Sequence, residues 1–288
     1  MSQRAPNCVV PRGHQNSITV YRPALNIHAD PRALFIGTYR RFVDACREVE
    51  EPGLAAIAVD ETTGALLGVC GIRACLGRPA VAVLGRHDQC DLVLRGDDIA
   101  LRHVAIVLDP VSSWAEGARA EYRVLDLRTS SGLYDETGRA LRSFRADGPA
   151  VLRCGDQVIF LLPLGDPTDW PAAAANAWDM LPQRVYLDEC GSMVRNRRTS
   201  MIFRTPPIPE DFALGTGDLA GTFEVQQPKY TGLVTLGRIA LRDGVLIGRY
   251  QRCELGDRDP SISRVHALVL SMSRQLVIAD LSSTHGIG

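Results

Sequence analysis

Apolar residues along this chain follow two periods. From Pro31 to Glu50, the residues Leu34, Phe35, Tyr39, Phe42, Val43 and Cys46 recur at helical spacing. Asp30 is placed to cap and Pro31 occupies the first turn, so the pattern predicts one amphipathic helix that stops near Glu51-Pro52-Gly53. Such a helix either docks a partner or packs on neighbouring structure, and packing is the expectation. Beyond it the period shortens. Brief apolar runs at 54–60, 66–72, 80–84, 90–94, 103–108, 121–127, 151–152 and 155–161 alternate with turn residues such as Asp60-Glu61-Thr62-Thr63-Gly64. Many short strands at this spacing predict a β-sandwich. Further runs at 265–270 and 275–281 predict a second strand-rich region near the C-terminal end.

Between the two strand-rich regions the composition changes. Pro167, Pro171, the run Ala172 to Ala175 and Pro206-Pro207-Ile208-Pro209 mark a Pro/Ala-rich linker, interrupted by a short structured piece near 185–203. The resulting division is 1–53 for an N-terminal segment with its helix, 54–165 for a first domain, 166–221 for the linker and 222–288 for a second domain. Within the linker, Arg197-Arg198-Thr199-Ser200 resembles a basophilic kinase site, although a solvated linker is the plainer reading.

Polar clusters fall where the predicted strands end. Near the C-terminal end these are Gly248-Arg249, then Ser263-Arg264-Val265-His266, then Asp280-Leu281-Ser282-Ser283-Thr284-His285-Gly286. Arg and hydroxyl donors brought from separate loops suit an anion with several acceptor oxygens, a phosphate or a carboxylate. The same order occurs earlier as Gly85-Arg86, Ala100-Leu101-Arg102-His103 and Asp126-Leu127-Arg128-Thr129-Ser130-Ser131-Gly132. Arg86 to Ala100 spans 14 positions, as does Arg249 to Ser263; Asp126 to Gly132 spans 6, as does Asp280 to Gly286. The middle spacing alone differs, 23 positions against 14, which places a hairpin insertion near 110–119. One domain type is therefore expected twice, offset by 163 residues.

Gly-Arg, Ser-x-x-His and a Ser-x-x-Gly turn after an Asp-Leu strand together resemble the forkhead-associated (FHA) family. The resemblance implies an eleven-stranded β-sandwich that reads phosphothreonine peptides. It makes the expected fold mainly β, with two FHA-like sandwiches, the first carrying a degenerate site and the second incomplete after Gly286. Arg249, Ser263 and Arg264 would engage the phosphate, while the loop with Thr284 and His285 would meet the peptide main chain. His266, and His103 in the first copy, would brace loops, with Gly248 and Gly286 as structural glycines. This chain has His285 where the family usually has Asn and Ile287 where it usually has Thr, which implies weakened recognition. In the first copy Arg86 is kept, Ala100 and Leu101 replace the hydroxyl and cationic donors, and Ser130 and Ser131 remain as candidate contacts. Arg102, next to Leu101 on a strand, should point to the opposite face.

Composition narrows the remaining classes. A net charge of -1 argues against nucleic acid held by bulk charge and leaves room for one phosphate on a local cluster. The 8 cysteines are scattered without a C-x-x-C, which points to free thiols in a reducing cytoplasm. No signal-peptide core and no membrane span are recognisable. No catalytic triad, HExxH or P-loop arrangement is present, so neither an enzyme nor a cofactor is expected. The expected partner is a phosphothreonine-containing protein, a Ser/Thr kinase or its substrate. A scaffold that binds partners without phosphorylation is the alternative.

Overall fold

A computed structural model of the chain describes residues 29–49, 52–111, 120–164, 170–191, 212–214, 218–227, 230–256, 259–272 and 275–287. The elements run α1 (Pro31–Arg47), β1 (Gly53–Asp60), β2 (Leu66–Arg73), β3 (Ala80–Gly85), β4 (Leu92–Val93), β5 (Val104–Leu108), β6 (Tyr122–Asp126), β7 (Leu133–Asp135), β8 (Ala140–Ala146), β9 (Ala150–Cys154) and β10 (Gln157–Leu164). They continue as α2 (Ala174–Met180), β11 (Leu187–Gly191), β12 (Phe212–Leu214), β13 (Leu219–Gln227), β14 (Tyr230–Gly237), α3 (Arg238–Asp243), β15 (Val245–Gly248), β16 (Leu255–Gly256), β17 (Ala267–Met272) and β18 (Gln275–Asp280). The chain is mainly β. The candidate kinase tetrad at 197–200 and most of the predicted hairpin insertion lie outside the described residues.

The first strand set forms an 11-stranded sheet in the order β2-β1-β10-β9-β7-β8-β6-β5-β3-β4, with β11 pairing β8. The sheet folds over on itself. Leu54, Ala56 and Ala58 of β1 meet Ile159 and Leu161 of β10, Val104 and Ile106 of β5 and Tyr122 and Val124 of β6 in one apolar core. Because side chains alternate along a strand, the other residues of the same strands face outward. Ala55, Ile57, Val59, Val158 and Phe160 lie under α1, where Phe35 and Phe42 are fully buried. The sequence accounts for α1 directly: the Asp30 carboxylate accepts the Arg32 N–H at 3.0 Å and Pro31 starts the first turn. Its apolar stripe is thus consumed by packing on the first sheet. Described residues of the segment read as linker pack on α1: Trp178 of α2 places its ring 5.3 Å from that of Phe35, and the Tyr39 hydroxyl donates to the Pro171 carbonyl at 2.6 Å.

The C-terminal strand set forms a 4-stranded sheet, β16-β15-β17-β18, beside a 3-stranded one, β12-β14-β13. Val269 and Val245 share an apolar cluster with Val234 and Leu236 of β14. Strand β18 stands at the edge of its sheet, and its Leu276 and Ile278 are each 49% exposed.

The two strand sets meet through one extended apolar layer. Val83, Cys90, Ala105, Val107, Leu125 and Leu127 of the first set pack against Leu246, Cys253, Leu268, Leu270, Ala279 and Leu281 of the second. Polar contacts ring this layer. Glu254 accepts from Arg128 Nε at 2.8 Å and from Arg142 Nη2 at 3.1 Å, and Arg123 Nη1 donates to the Arg242 carbonyl at 2.8 Å. At Gly244 the backbone has φ +79, and an added Cβ would lie 2.6 Å from Leu125 Cδ2. The absence of a side chain there lets the two sheets approach.

Among the described residues, no helix is long and apolar enough to cross a membrane, and no group of His, Cys, Asp and Glu is placed to hold a metal ion. Described cysteines 46, 70, 75, 90, 154 and 253 are free thiols. Burial pushes Cys46 and Cys253 up to about 12, which keeps them as unreactive thiols.

Candidate functional site

Three loops at one end of the C-terminal sheet are tied together by backbone hydrogen bonds. Arg249, just past β15, donates its N–H to the Ser263 carbonyl at 2.9 Å, and Tyr250 donates to the Arg264 carbonyl at 2.7 Å. The Arg249 guanidinium is exposed, with Nε donating to the Ile262 carbonyl at 2.9 Å. Such close approach needs Gly248, because a Cβ there would lie 2.3 Å from the Arg264 carbonyl oxygen. The third loop, after β18, joins through Thr284, whose N–H donates to Ser263 Oγ at 3.0 Å. A serine that accepts in this way keeps its own O–H for another acceptor. The side chain of Arg264 is exposed, and among the described residues neither Arg249 nor Arg264 forms an ion pair with a carboxylate. Two guanidinium groups without a carboxylate partner among the described residues, and a hydroxyl, therefore flank one loop junction.

His266 locks the junction from behind. Its Nδ1 accepts the Ser263 N–H at 3.1 Å, so the ring proton sits on Nε2, which donates to the Gly286 carbonyl at 3.1 Å. Both ring nitrogens are thus spent on backbone groups. This is a bracing role and leaves nothing to offer an anion. Asp280 supports the same loop by accepting the Ser283 N–H at 3.1 Å, and Gly286 turns the chain at φ +73. His285 is exposed on that loop.

The corresponding loops of the first strand set carry the same frame. Arg86 N–H reaches the Ala100 carbonyl at 2.9 Å, Ala100 N–H reaches His103 Nδ1 at 3.1 Å, and His103 Nε2 lies 3.0 Å from the Gly132 carbonyl. A Cβ on Gly85 would come within 2.5 Å of the Leu101 carbonyl oxygen. The donors differ. Ala100 has no hydroxyl, Leu101 is 36% exposed where Arg264 stands in the other set, and Ser131 Oγ is already bonded to the Asp98 carbonyl. Ser130 and Arg86 are exposed. His103 is more deeply enclosed than His266; burial lowers its pKa, while the Gly132 carbonyl and Asp126 act the other way.

Sequence reading missed the residues that join the two sets, namely Arg102, Arg128, Glu254 and Gly244. Arg102 does point away from Leu101, but it leads into the second strand set: Nε and Nη2 donate to the carbonyls of Leu281 and Ser282. A charged residue in an otherwise apolar strand flank was the available signal.

Residues 245–287 match the FHA domain family, so the chain carries an FHA domain there. Comparison with curated protein sequences finds no match. Among solved structures the chain is similar to one from an analysis of phosphothreonine-dependent FHA domain interactions, at 18% identity over 39% of this chain and 99% of that one, TM-score 0.29. It is similar to the FHA domain of the CT664 protein from Chlamydia trachomatis, at 18% identity over 39% of this chain and 98% of that one, TM-score 0.30. EmbR of Mycobacterium tuberculosis in complex with a low-affinity phosphopeptide matches at 19% identity over 46% of this chain and 30% of that one, TM-score 0.28.

Proposed function

We propose that this protein is a phosphothreonine-peptide-binding adaptor acting through its C-terminal FHA unit. The carrying observation is the loop junction at which Ser263 Oγ bonds Thr284 N–H while exposed Arg249 and Arg264 stand without carboxylate partners among the described residues. A phosphothreonine carries about -1.5 to -2 charge and three acceptor oxygens. Arg249 supplies a planar fork, Ser263 one hydroxyl and Arg264 a second charge, while Thr284 and His285 face the peptide chain. An unphosphorylated threonine would leave these donors unsatisfied, so the phosphate decides binding. On this reading the chain is a tandem pair, and the first unit is a degenerate FHA copy. Ala100 and Leu101 remove its phosphate donors, leaving Arg86, Ser130 and Ser131 as its remaining polar groups. The partner is a phosphothreonine-bearing kinase or kinase substrate in the cytoplasm, and the FHA unit binds without catalysis.

The test is titration of a phosphothreonine peptide library, with its unphosphorylated counterpart, against wild type and Arg249→Ala. Selective phosphopeptide binding by wild type that is lost in the variant supports the reading. Equal binding by both proteins defeats it. The substitutions at Ala100 and Leu101 also favour a second reading for the first unit, a platform that works without phosphate; partner capture surviving phosphatase treatment would extend that reading to the whole chain.

A further inference from the structure

The two strand sets face each other through corresponding positions. Counting 163 residues on from Val83, Cys90, Ala105 and Val107 gives Leu246, Cys253, Leu268 and Leu270, and all of these lie in the shared apolar layer. Beyond the insertion the count is 154, and Leu125 and Leu127 correspond to Ala279 and Leu281 of that layer. Even the supporting bonds repeat: Asp91 accepts the Val83 N–H at 2.7 Å and Glu254 accepts the Leu246 N–H at 2.9 Å. A face that meets its own counterpart would be expected to make matched contacts on both sides.

The arginines break this symmetry. Arg102 corresponds to Val265, and Arg128 corresponds to Ser282. The first unit thus contributes a cation at both positions where the second has an uncharged residue. Arg128 reaches across to Glu254 and to the Gly244 carbonyl at 2.7 Å. Arg102, 8% exposed, clasps the Leu281 and Ser282 carbonyls with two arms of its fork. Those carbonyls open the loop that carries Thr284 and His285. Leu281 is fully buried in the shared layer, and Ser282 holds a left-handed φ of +56 without being glycine. Arg128, the corresponding residue, holds φ +60 with a single arm of Arg252 on its carbonyl at 3.1 Å, so the left-handed turn belongs to both loops, and the two-armed Arg102 clasp tethers the one that carries Thr284 and His285. The unit that lacks hydroxyl and cationic donors at 100 and 101 carries side chains that grip its neighbour's loop.

We propose that the first unit is the positioning platform of the C-terminal site, with Arg102 as the positioning residue that fixes the loop from Ser282 to Gly286 in its binding geometry. The inference rests on the reading of that site as phosphopeptide-binding. Phosphopeptide affinity then depends on a residue of the other unit that never touches the ligand.

The test uses the full chain as wild type, Arg102→Met, Arg102→Lys and Arg249→Ala. Amide hydrogen exchange is followed over 281–287, and affinity is measured with phosphothreonine peptides selected from a library. In Arg102→Met, exchange at residues 283–286 is expected to rise at least tenfold while β5 and β10 keep wild-type protection, and peptide affinity falls at least fivefold. Arg102→Lys, with one ammonium in place of a fork, falls between this variant and wild type. Arg249→Ala loses the peptide with its loop exchange unchanged, which separates contact from positioning. Wild-type loop exchange and wild-type affinity in Arg102→Met overturn the proposal while leaving the phosphopeptide site standing. A wild-type chain that binds no phosphothreonine peptide overturns both. Should Arg102→Met unfold, with exchange raised throughout, Arg102→Lys decides: a folded chain with wild-type loop exchange overturns the proposal.

Discussion

Ser263 Oγ accepts the backbone N–H of Thr284 at 3.0 Å, joining two loops that lie 21 residues apart in the chain. One oxygen thereby orders the third loop and keeps an O–H to offer an acceptor, with Thr284 Oγ1 3.4 Å away. Ser263→Ala removes both functions. A hydrogen bond to a charged group contributes about 1.5 to 3 kcal/mol, so phosphopeptide affinity should fall about tenfold or more. Ser263→Thr retains the hydroxyl and should keep most of the affinity. Isothermal titration of one phosphothreonine peptide against the three proteins checks this.

Glycines 248 and 286 should respond differently to alanine. At Gly248 the new Cβ would stand 2.3 Å from the Arg264 carbonyl oxygen, a backbone atom that moves only with its strand. Gly248→Ala should cost about 2 to 4 kcal/mol of stability and misplace Arg249. At Gly286 no heavy atom lies within 4 Å of the added Cβ, and the penalty comes from its φ of +73 alone. That change should cost about 1 kcal/mol. Urea unfolding of the two variants distinguishes a steric clash from conformational strain.

Glu254 is the ionic centre of the contact between the two units. Its side chain is 18% exposed, and it accepts from Arg128, Arg142 and the Leu246 N–H. Glu254→Ala removes the shared carboxylate from two guanidinium groups, 12% and 25% exposed, and should destabilise the chain by about 1 to 3 kcal/mol. Glu254→Gln keeps an acceptor for Leu246 and should lose less. Chemical denaturation monitored at the C-terminal unit reads the difference.

His103 makes stability depend on pH. Burial holds its pKa below the ordinary 6.5, and its Nδ1 already accepts the Ala100 N–H, so a second ring proton has no place in the folded chain. The unfolded chain takes up that proton as pH falls through about 6.5, whereas the folded chain resists until lower pH. Stability is therefore full above that point and declines as pH falls below it. Asp126 acts in the opposite sense, because burial raises its carboxyl above the ordinary 3.8 and the folded state binds that proton first. The urea midpoint of wild type should drop between pH 7.5 and 5.5, with a flatter response in His103→Asn.

The local frame was legible because it is written in short spacings. Gly248 beside Arg249, and Ser263 three residues before His266, encode bonds that close within one or two loops, and the structure makes them at 2.9 and 3.1 Å. The helix was legible for the same reason, since Asp30, Pro31 and the Phe35 stripe act within a few turns. What escaped depends on distant chain. Arg102 grips carbonyls 179 and 180 residues away, and nothing beside it in sequence distinguishes a clasp from a solvated cation. Strand β5 did carry a sign of this. Its run Val104-Ala105-Ile106-Val107-Leu108 has no polar alternation and is buried at every residue, which requires cover on both faces. Ala and Pro around Trp178 concealed α2 for a different reason: that helix is held by aromatic contacts with α1 more than by its own seven residues.

On the proposed reading of the two strand sets as copies of one module, their shared apolar layer has the geometry of a homodimer carried in one polypeptide. Covalent linkage makes the pairing independent of cellular abundance and relieves the partners of having to stay identical. Mutations that would cripple both halves of a true dimer can accumulate in one, which frees that copy to become a dedicated support for its sibling.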